Sequence, residues 1–129
     1  MKKAIYGIYN PDDENAVKLG FAQNIEDRLS AFSKAISGSY YIIIEFCVPD
    51  TISDSHVIHY IEKKHPDCRI IKKGTNNKPY PSEFINLEKI SIKELIEELE
   101  NFIEEHKIDT HLYVDSFFCD YIMTKSKEV

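Results

Sequence analysis

A concentrated turn signal lies between two β-rich stretches at the start of the chain, and this arrangement fixes how a fold must begin. Lys3 to Tyr9 is short, aromatic and β-rich, Asn10-Pro11-Asp12-Asp13-Glu14-Asn15 is made of turn formers, and Ala16 to Phe21 reads as a second strand. The pair is an antiparallel hairpin with a longish loop. Asn24 is a good N-cap, Glu26 and Asp27 sit where a helix N-terminus favours acids, and Ile25, Leu29, Phe32 and Ile36 repeat at helical spacing. A helix from Ile25 to Ile36 is expected, stopped by Gly38. Tyr40 to Val48 is a β-branched and aromatic run closed by Pro49, most simply the central strand of the sheet.

Beyond it, Ser53 can cap a helix running to His65, with Val57, Ile58 and Ile61 on its apolar side and Pro66 past its end. Arg69 to Lys72 is a short strand. Gly74 to Ser82 reads as a surface loop, and Glu83 to Leu87 as a strand or extended piece. Ser91 and Glu94 form a capping box that opens a helix with the stripe Ile92, Leu95, Ile96, Leu99, Phe102 and Ile103. Periodicity leaves His111 to Met123 undecided between strand and short helix.

A chain of 129 residues is the size of one domain. The expected division is 1–88 as the main unit, with 89–129 a C-terminal helix and aromatic tail packed on it. A hydrophobic fraction of 43% with 29% charged residues excludes disorder as the dominant state. The longest apolar run, Tyr40 to Ile44, is broken by Glu45, and no signal-length apolar stretch follows Lys2 and Lys3, so no membrane partner and a cytoplasmic location are expected. Cys47, Cys68 and Cys119 lack the C-x-x-C spacing of a zinc site and read as buried or idle thiols. The net charge of −6 argues against nucleic acid as a partner until its distribution is examined. Residues 1–88 carry 11 Lys+Arg against 12 Asp+Glu, and residues 89–129 carry 5 against 10. The acidity belongs to the tail, so a phosphate contact would fall in the first two thirds.

The motifs in that part have an order and a spacing. Ala4-Ile5-Tyr6 opens the first strand, Lys18-Leu19-Gly20 lies in the second, and Arg28 follows Gly20 by eight residues on the expected first helix. With Ser82-Glu83-Phe84 near the end of the stretch, residues 4–88 resemble the GIY-YIG nuclease superfamily, in particular its small phage and viral branch, in which Lys replaces the second-motif Tyr. The string Gly7-Ile8-Tyr9 copies the first motif literally, but counting back from Lys18 puts the catalytic position on Tyr6. The resemblance implies an α+β fold with a three-stranded, mainly antiparallel sheet flanked by helices, followed here by the C-terminal helical and aromatic extension. It also implies Mg²⁺ or Mn²⁺ on Glu83. The family's second helix often carries a His; His59 fits by residue type, whereas spacing to Arg69 selects Glu62.

Phosphodiester hydrolysis needs a base for the attacking water, positive charge for the pentavalent phosphorane, and usually a hard divalent ion on carboxylate. Tyr6, Lys18, Arg28 and Glu83 supply these types. A free phenol ionises near pH ~10, so a tyrosine base requires a neighbouring cation, and Lys18 on the paired strand is the candidate. Mg²⁺ favours a single carboxylate with water and phosphate oxygens. His56 and His59 stand i, i+3 on one helix, which suits a shared metal, although two partly exposed histidines is the simpler reading. Lys63, Lys64, Arg69, Lys72, Lys73 and Lys78 form a basic cluster that could track a DNA backbone or be a solvated face.

Two functions are therefore expected in competition. One is a metal-dependent endonuclease acting on DNA. The other is a catalytically degenerate module that binds nucleic acid, a nucleotide or a protein partner. The C-terminal Leu112, Tyr113, Phe117, Phe118, Tyr121 and Ile122 exceed what a compact nuclease core needs. They either cap the sheet, the slightly favoured reading, or meet a second copy or a protein partner.

Overall fold

A computed structural model describes residues 2–12, 15–24 and 39–127. The expected first helix, and Arg28 with it, lies outside the described residues. Six strands form one sheet: β1 (Lys2–Tyr9), β2 (Ala16–Ala22), β3 (Tyr41–Pro49), β4 (Arg69–Lys73), β5 (Pro79–Asn86) and β6 (Tyr113–Val114). Three helices accompany them among the described residues, α1 (Asp54–Lys64), α2 (Ile92–Glu105) and α3 (Ser116–Lys127). The order across the sheet is β4-β5-β2-β1-β3-β6, and each neighbouring pair is antiparallel.

The three-stranded sheet expected from the resemblance is thus corrected to six. The stretch that reads as a loop from Gly74 to Ser82 is strand from Pro79 onward: the turn is confined to Gly74–Lys78, closed by Gly74 N–H to Lys78 O (3.0 Å) and Asn77 N–H to Gly74 O (2.9 Å). Asn77 takes the left-handed conformation there (φ 61°), which asparagine tolerates. Pro79 and Pro81 then stand in β5 despite lacking N–H donors, and β5 still joins β4 to β2. At the other edge, Tyr113 and Val114 pair with Glu45 and Ile44 before the chain turns into α3.

β1 is central, and alternation sends its side chains into two different environments. Ile5 and Tyr9 join Val17, Leu19, Ile44, Phe46 and Ile85 in the main core. The helices contribute Val57, Ile58 and Ile61 from α1, Leu95, Leu99 and Phe102 from α2, and Cys119 and Ile122 from α3 to the same core. The opposite face of β1 carries Tyr6 and Ile8, which cluster with Tyr40. The C-terminal aromatics partly cap the core: the Phe118 ring meets Tyr9 edge-on at 6.2 Å and stacks on Tyr41 at 4.7 Å, while Phe117 stays 71% exposed.

Helices α1 and α2 begin with reciprocal caps. Ser91 Oγ accepts from Glu94 N–H (3.1 Å) and Glu94 Oε1 accepts from Ser91 N–H (3.3 Å). At α1 the same device uses Ser53 and His56, whose Nδ1 accepts from Ser53 N–H (3.0 Å). Between α1 and α2, Glu98 accepts hydrogen bonds from Lys64 (3.4 Å) and Asn101 (3.1 Å) and lies 2.9 Å from His65 Nε2. Burial opposes ionisation of Glu98, but hydrogen bonds from Asn101, His65 and Lys64 outweigh it and hold the carboxyl below its ordinary value.

A lowered carboxyl pKa contributes stability that is complete above the unfolded value and is lost as pH falls through the folded one. Glu98→Ala should cost about 1–3 kcal/mol near pH 7. The difference from wild type should shrink as pH drops below about 4.5. Urea unfolding at neutral and acid pH measures both; a gap that stays constant to low pH would remove Glu98 from the acid response.

Candidate active site

Three strands bring three of the expected residues together. In register, Tyr6 on β1 faces Gly20 on β2, Ile8 faces Lys18, and Lys18 on β2 faces Phe84 on β5. Lys18 and Tyr6 therefore share the sheet face turned away from the main core. Lys18 Nζ stands 2.9 Å from Glu83 Oε2 and 5.8 Å from the Tyr6 ring centroid. The lysine side chain is only 10% exposed, whereas that of Glu83 is 46% exposed. A buried ammonium thus has a phenol ring on one side and a solvent-facing carboxylate on the other.

Tyr9, the alternative in the literal Gly7-Ile8-Tyr9 string, points into the main core at 1% exposure. Burial, and then repulsion by Tyr121, pushes its phenol up from 10.0, so it stays neutral. Tyr6 is also largely buried, at 3% exposure. Its ring lies across Gly20: a Cβ there would stand 2.5 Å from Tyr6 Oη and 2.6 Å from Cζ. The glycine of Lys18-Leu19-Gly20 is thus required by the tyrosine on the neighbouring strand.

Glu83 reaches Lys18 because β5 is irregular. Strict alternation would turn Glu83 away from the face that Phe84 shares with Lys18. Between Arg69↔Ile85 and Ile71↔Pro81, however, β4 advances two residues while β5 advances four, and Glu83 lies in the resulting bulge. Arg69 holds the bulge by donating from Nε to Ser82 O (2.8 Å) and from Nη2 to Pro81 O (3.0 Å). Ser82 Oγ donates to Ile70 O (2.6 Å) and accepts from Phe84 N–H (3.2 Å). The Arg69 clamp and the Ser82–Ile70 bond are not visible in a local pattern, since they join residues more than ten positions apart.

The two candidates for the helix position go elsewhere. Glu62 pairs with Arg69 at 3.7 Å. His59 lines a pocket of about 540 Å³ with His56, Tyr60 and Lys63 of α1, Phe102 of α2 and His106 at the C-cap of α2, a lining that contains neither Tyr6, Lys18 nor Glu83. His56 is committed to capping α1. The α1 residue that does sense the site is Asp54, whose carboxyl is raised from its ordinary value by burial and then by the charge of Glu83, with Lys18 acting in the opposite sense. Sequence reasoning passed over Asp54 because an acid in a helix's first turn is already explained by the dipole. Among the cysteines, Cys68 and Cys119 are buried, and burial raises both thiols, Cys119 to about 11, which rules out a ready thiolate at either.

Among the described residues, no group of three or more His, Cys, Asp or Glu side chains is placed to hold a metal ion. A half-exposed Glu83 still suits Mg²⁺, which binds through one or two carboxylates and completes its shell with water and substrate phosphate. No helix among the described residues is long and apolar enough to cross a membrane.

Gly20→Ala should force the Tyr6 ring off β2 and cost about 1–3 kcal/mol. Thermal melting and a crystal structure of the variant would check it, and an unmoved ring with unchanged Tm would refute the packing account. Comparison with protein-family models, with curated proteins and with solved structures finds no match for this chain.

Proposed function

We propose that the protein is a metal-dependent endonuclease that hydrolyses DNA phosphodiester bonds at Tyr6, Lys18 and Glu83. The observation that carries this reading is the 2.9 Å pair of Lys18 and Glu83 set beside the Tyr6 ring, three groups from three strands on one sheet face. The motif order that resembles GIY-YIG nucleases supports the same assignment, with Arg28 as a further cation. In this reaction Tyr6 would act as a phenolate: its Oη takes a proton from water as the water oxygen bonds to phosphorus and the bond to the leaving oxygen breaks, and Lys18 balances the charge that gathers on the phosphorane. Glu83 would hold Mg²⁺ or Mn²⁺, which when bound adds positive charge at the scissile phosphate.

The DNA itself has a natural track. From Cys68 to Ser82 the chain has Arg69, Lys72, Lys73 and Lys78 and no acid, in a protein whose net charge is −6. Glu83 lies on the second strand of that hairpin, so a backbone held along it leads to the reactive groups.

One observation favours the rival, a module that binds without cutting: the Tyr6 ring is almost fully covered and the charge of Lys18 is already met by Glu83. Cleavage of supercoiled and linear DNA with Mg²⁺ or Mn²⁺, run beside a binding titration, separates the two. The enzyme should lose roughly 10²-fold or more of its rate on Lys18→Ala or on Glu83→Gln while DNA binding changes little. Wild-type protein that binds DNA and leaves it intact with either ion would decide for the module. Equal rates with and without a chelator would take the ion out of the mechanism.

A further inference from the structure

The cavity of about 540 Å³ between α1 and α2 falls within the size of small-molecule sites, roughly 300–1,000 Å³. Among the described residues its lining holds no Asp or Glu, in a chain whose net charge is −6, and Lys63 is its one Lys or Arg. We propose that this cavity binds a small carboxylic acid with an apolar body, its carboxylate held by Lys63 and His59. The inference goes beyond the nuclease reading and does not rest on it, since Tyr6, Lys18 and Glu83 take no part in the lining.

Helix α1 supplies the polar side. His56, His59 and Lys63 fall at i, i+3 and i+7, which places them along one stripe. His59 and Lys63, one turn apart, can share the two oxygens of a carboxylate. Neither has a hydrogen-bond or ion-pair partner among the described residues. The charges beside them are engaged elsewhere: Glu62 pairs with Arg69 at 3.7 Å, and Lys64 donates to Tyr60 Oη (2.9 Å) and Glu98 Oε1 (3.4 Å). His56 Nδ1 accepts from Ser53 N–H (3.0 Å), so the ring proton lies on Nε2 and makes that nitrogen a donor instead of a metal ligand. His56 stands seven residues from Lys63, about 10 Å along the axis, and marks the other end of the site.

The apolar side does not depend on a free ring face. His106 stacks on Phe102 at 4.1 Å and donates from Nδ1 to Phe102 O (2.9 Å). Tyr60 meets Phe102 edge-on at 5.3 Å, and Lys64 Nζ lies 4.4 Å from the Tyr60 ring centroid. These rings brace one another and, with Ile52, form a fixed wall along which a ligand gains by taking apolar surface out of water. A wall on one side and a single ammonium on the other fit an apolar body with one negative charge. A neutral ligand would leave Lys63 unmatched, and a small inorganic anion would leave the wall wet.

The test is equilibrium dialysis with 2-naphthoate and with its neutral twin 2-naphthalenemethanol, at one salt concentration. Wild type should bind the acid roughly fivefold more tightly than the alcohol. Lys63→Glu should weaken the acid roughly tenfold or more and leave the alcohol nearly unchanged. Lys93→Glu makes the same change of net charge on α2 outside the lining and should leave both affinities unchanged. Lys63 and Lys93 are both exposed, so neither variant disturbs the core. Amide signals that shift on adding the acid should centre on residues 51–63 and 102–106. Equal affinity for acid and alcohol, equal losses on the two variants, shifts centred elsewhere, or no binding of the acid would each overturn the proposal.

Discussion

Everything on the working face depends on β1 being buried on both sides. Ile5 and Tyr9 are inside the helix-covered core, while Tyr6 and Ile8 are covered on the opposite face, so the strand has no solvent side on which to relax. Such a strand cannot slip by one residue, because a slip would exchange a phenol destined for Lys18 with one packed against Phe118. Gly7 adds to the constraint. A Cβ there would come within 3.1 Å of Val17 Cγ1 and 3.3 Å of Ile44 Cβ, so β2 and β3 close over the position from both sides. The two glycines of the hairpin thus act as a pair, Gly7 admitting core side chains and Gly20 admitting the Tyr6 ring.

Given that frame, the ion pair between Lys18 and Glu83 is a consequence of where the lysine must lie. An ammonium 10% exposed between β1 and β5 needs a counter-charge, since burial of an unpaired charge is far more costly than the pair returns. The fold provides it by distorting β5 instead of by placing an acid on the same face in regular alternation. Arg69 is what makes the distortion tolerable: its donors satisfy the Pro81 and Ser82 carbonyls that a bulge removes from the ladder, and Glu62 balances its own charge. A chain of three ion-paired or hydrogen-bonded residues from α1 through β4 therefore ends at the carboxylate that faces Lys18.

This explains what the sequence revealed and what it concealed. The hairpin from Lys3 to Phe21, the strand after Tyr40 and the helices opened by Ser53 and Ser91 are written in local chemistry, in turn formers, alternation and caps, and they are legible without a structure. The local pattern marks five extended segments, and the three-stranded sheet came from the resemblance alone; what stayed illegible was the start of β5, because Pro79, Tyr80 and Pro81 read as loop and become strand only through pairing with Lys73, Lys72 and Ile71. The two-residue β6 exists only as a partner for Ile44 and Glu45. In the site, Tyr6 and Lys18 follow from strand register and could be read directly. The aim of Glu83 depends on Arg69 and Ser82, and the involvement of Asp54 on the tertiary packing of α1, neither of which leaves a periodic trace. His59 was proposed by residue type alone, and the pocket that takes it belongs to the outer side of α1 and α2.

Charge follows the same logic of placement over sum. The acids of the C-terminal third are concentrated on α2, where Glu97, Glu100, Glu104 and Glu105 are exposed on a helix packed over the main core. The cations Lys72, Lys73 and Lys78 sit on the β4–β5 hairpin at the far edge of the sheet, with Glu83 on its second strand. Exposed charges separated by more than the Debye length, about 8 Å at physiological salt, scarcely feel one another. A polyanion approaching the hairpin would therefore meet a local excess of positive charge, even though the molecule as a whole would repel it at long range and low salt. Net charge of −6 constrains the rate at which any anion approaches more than it constrains which surface an anion can occupy.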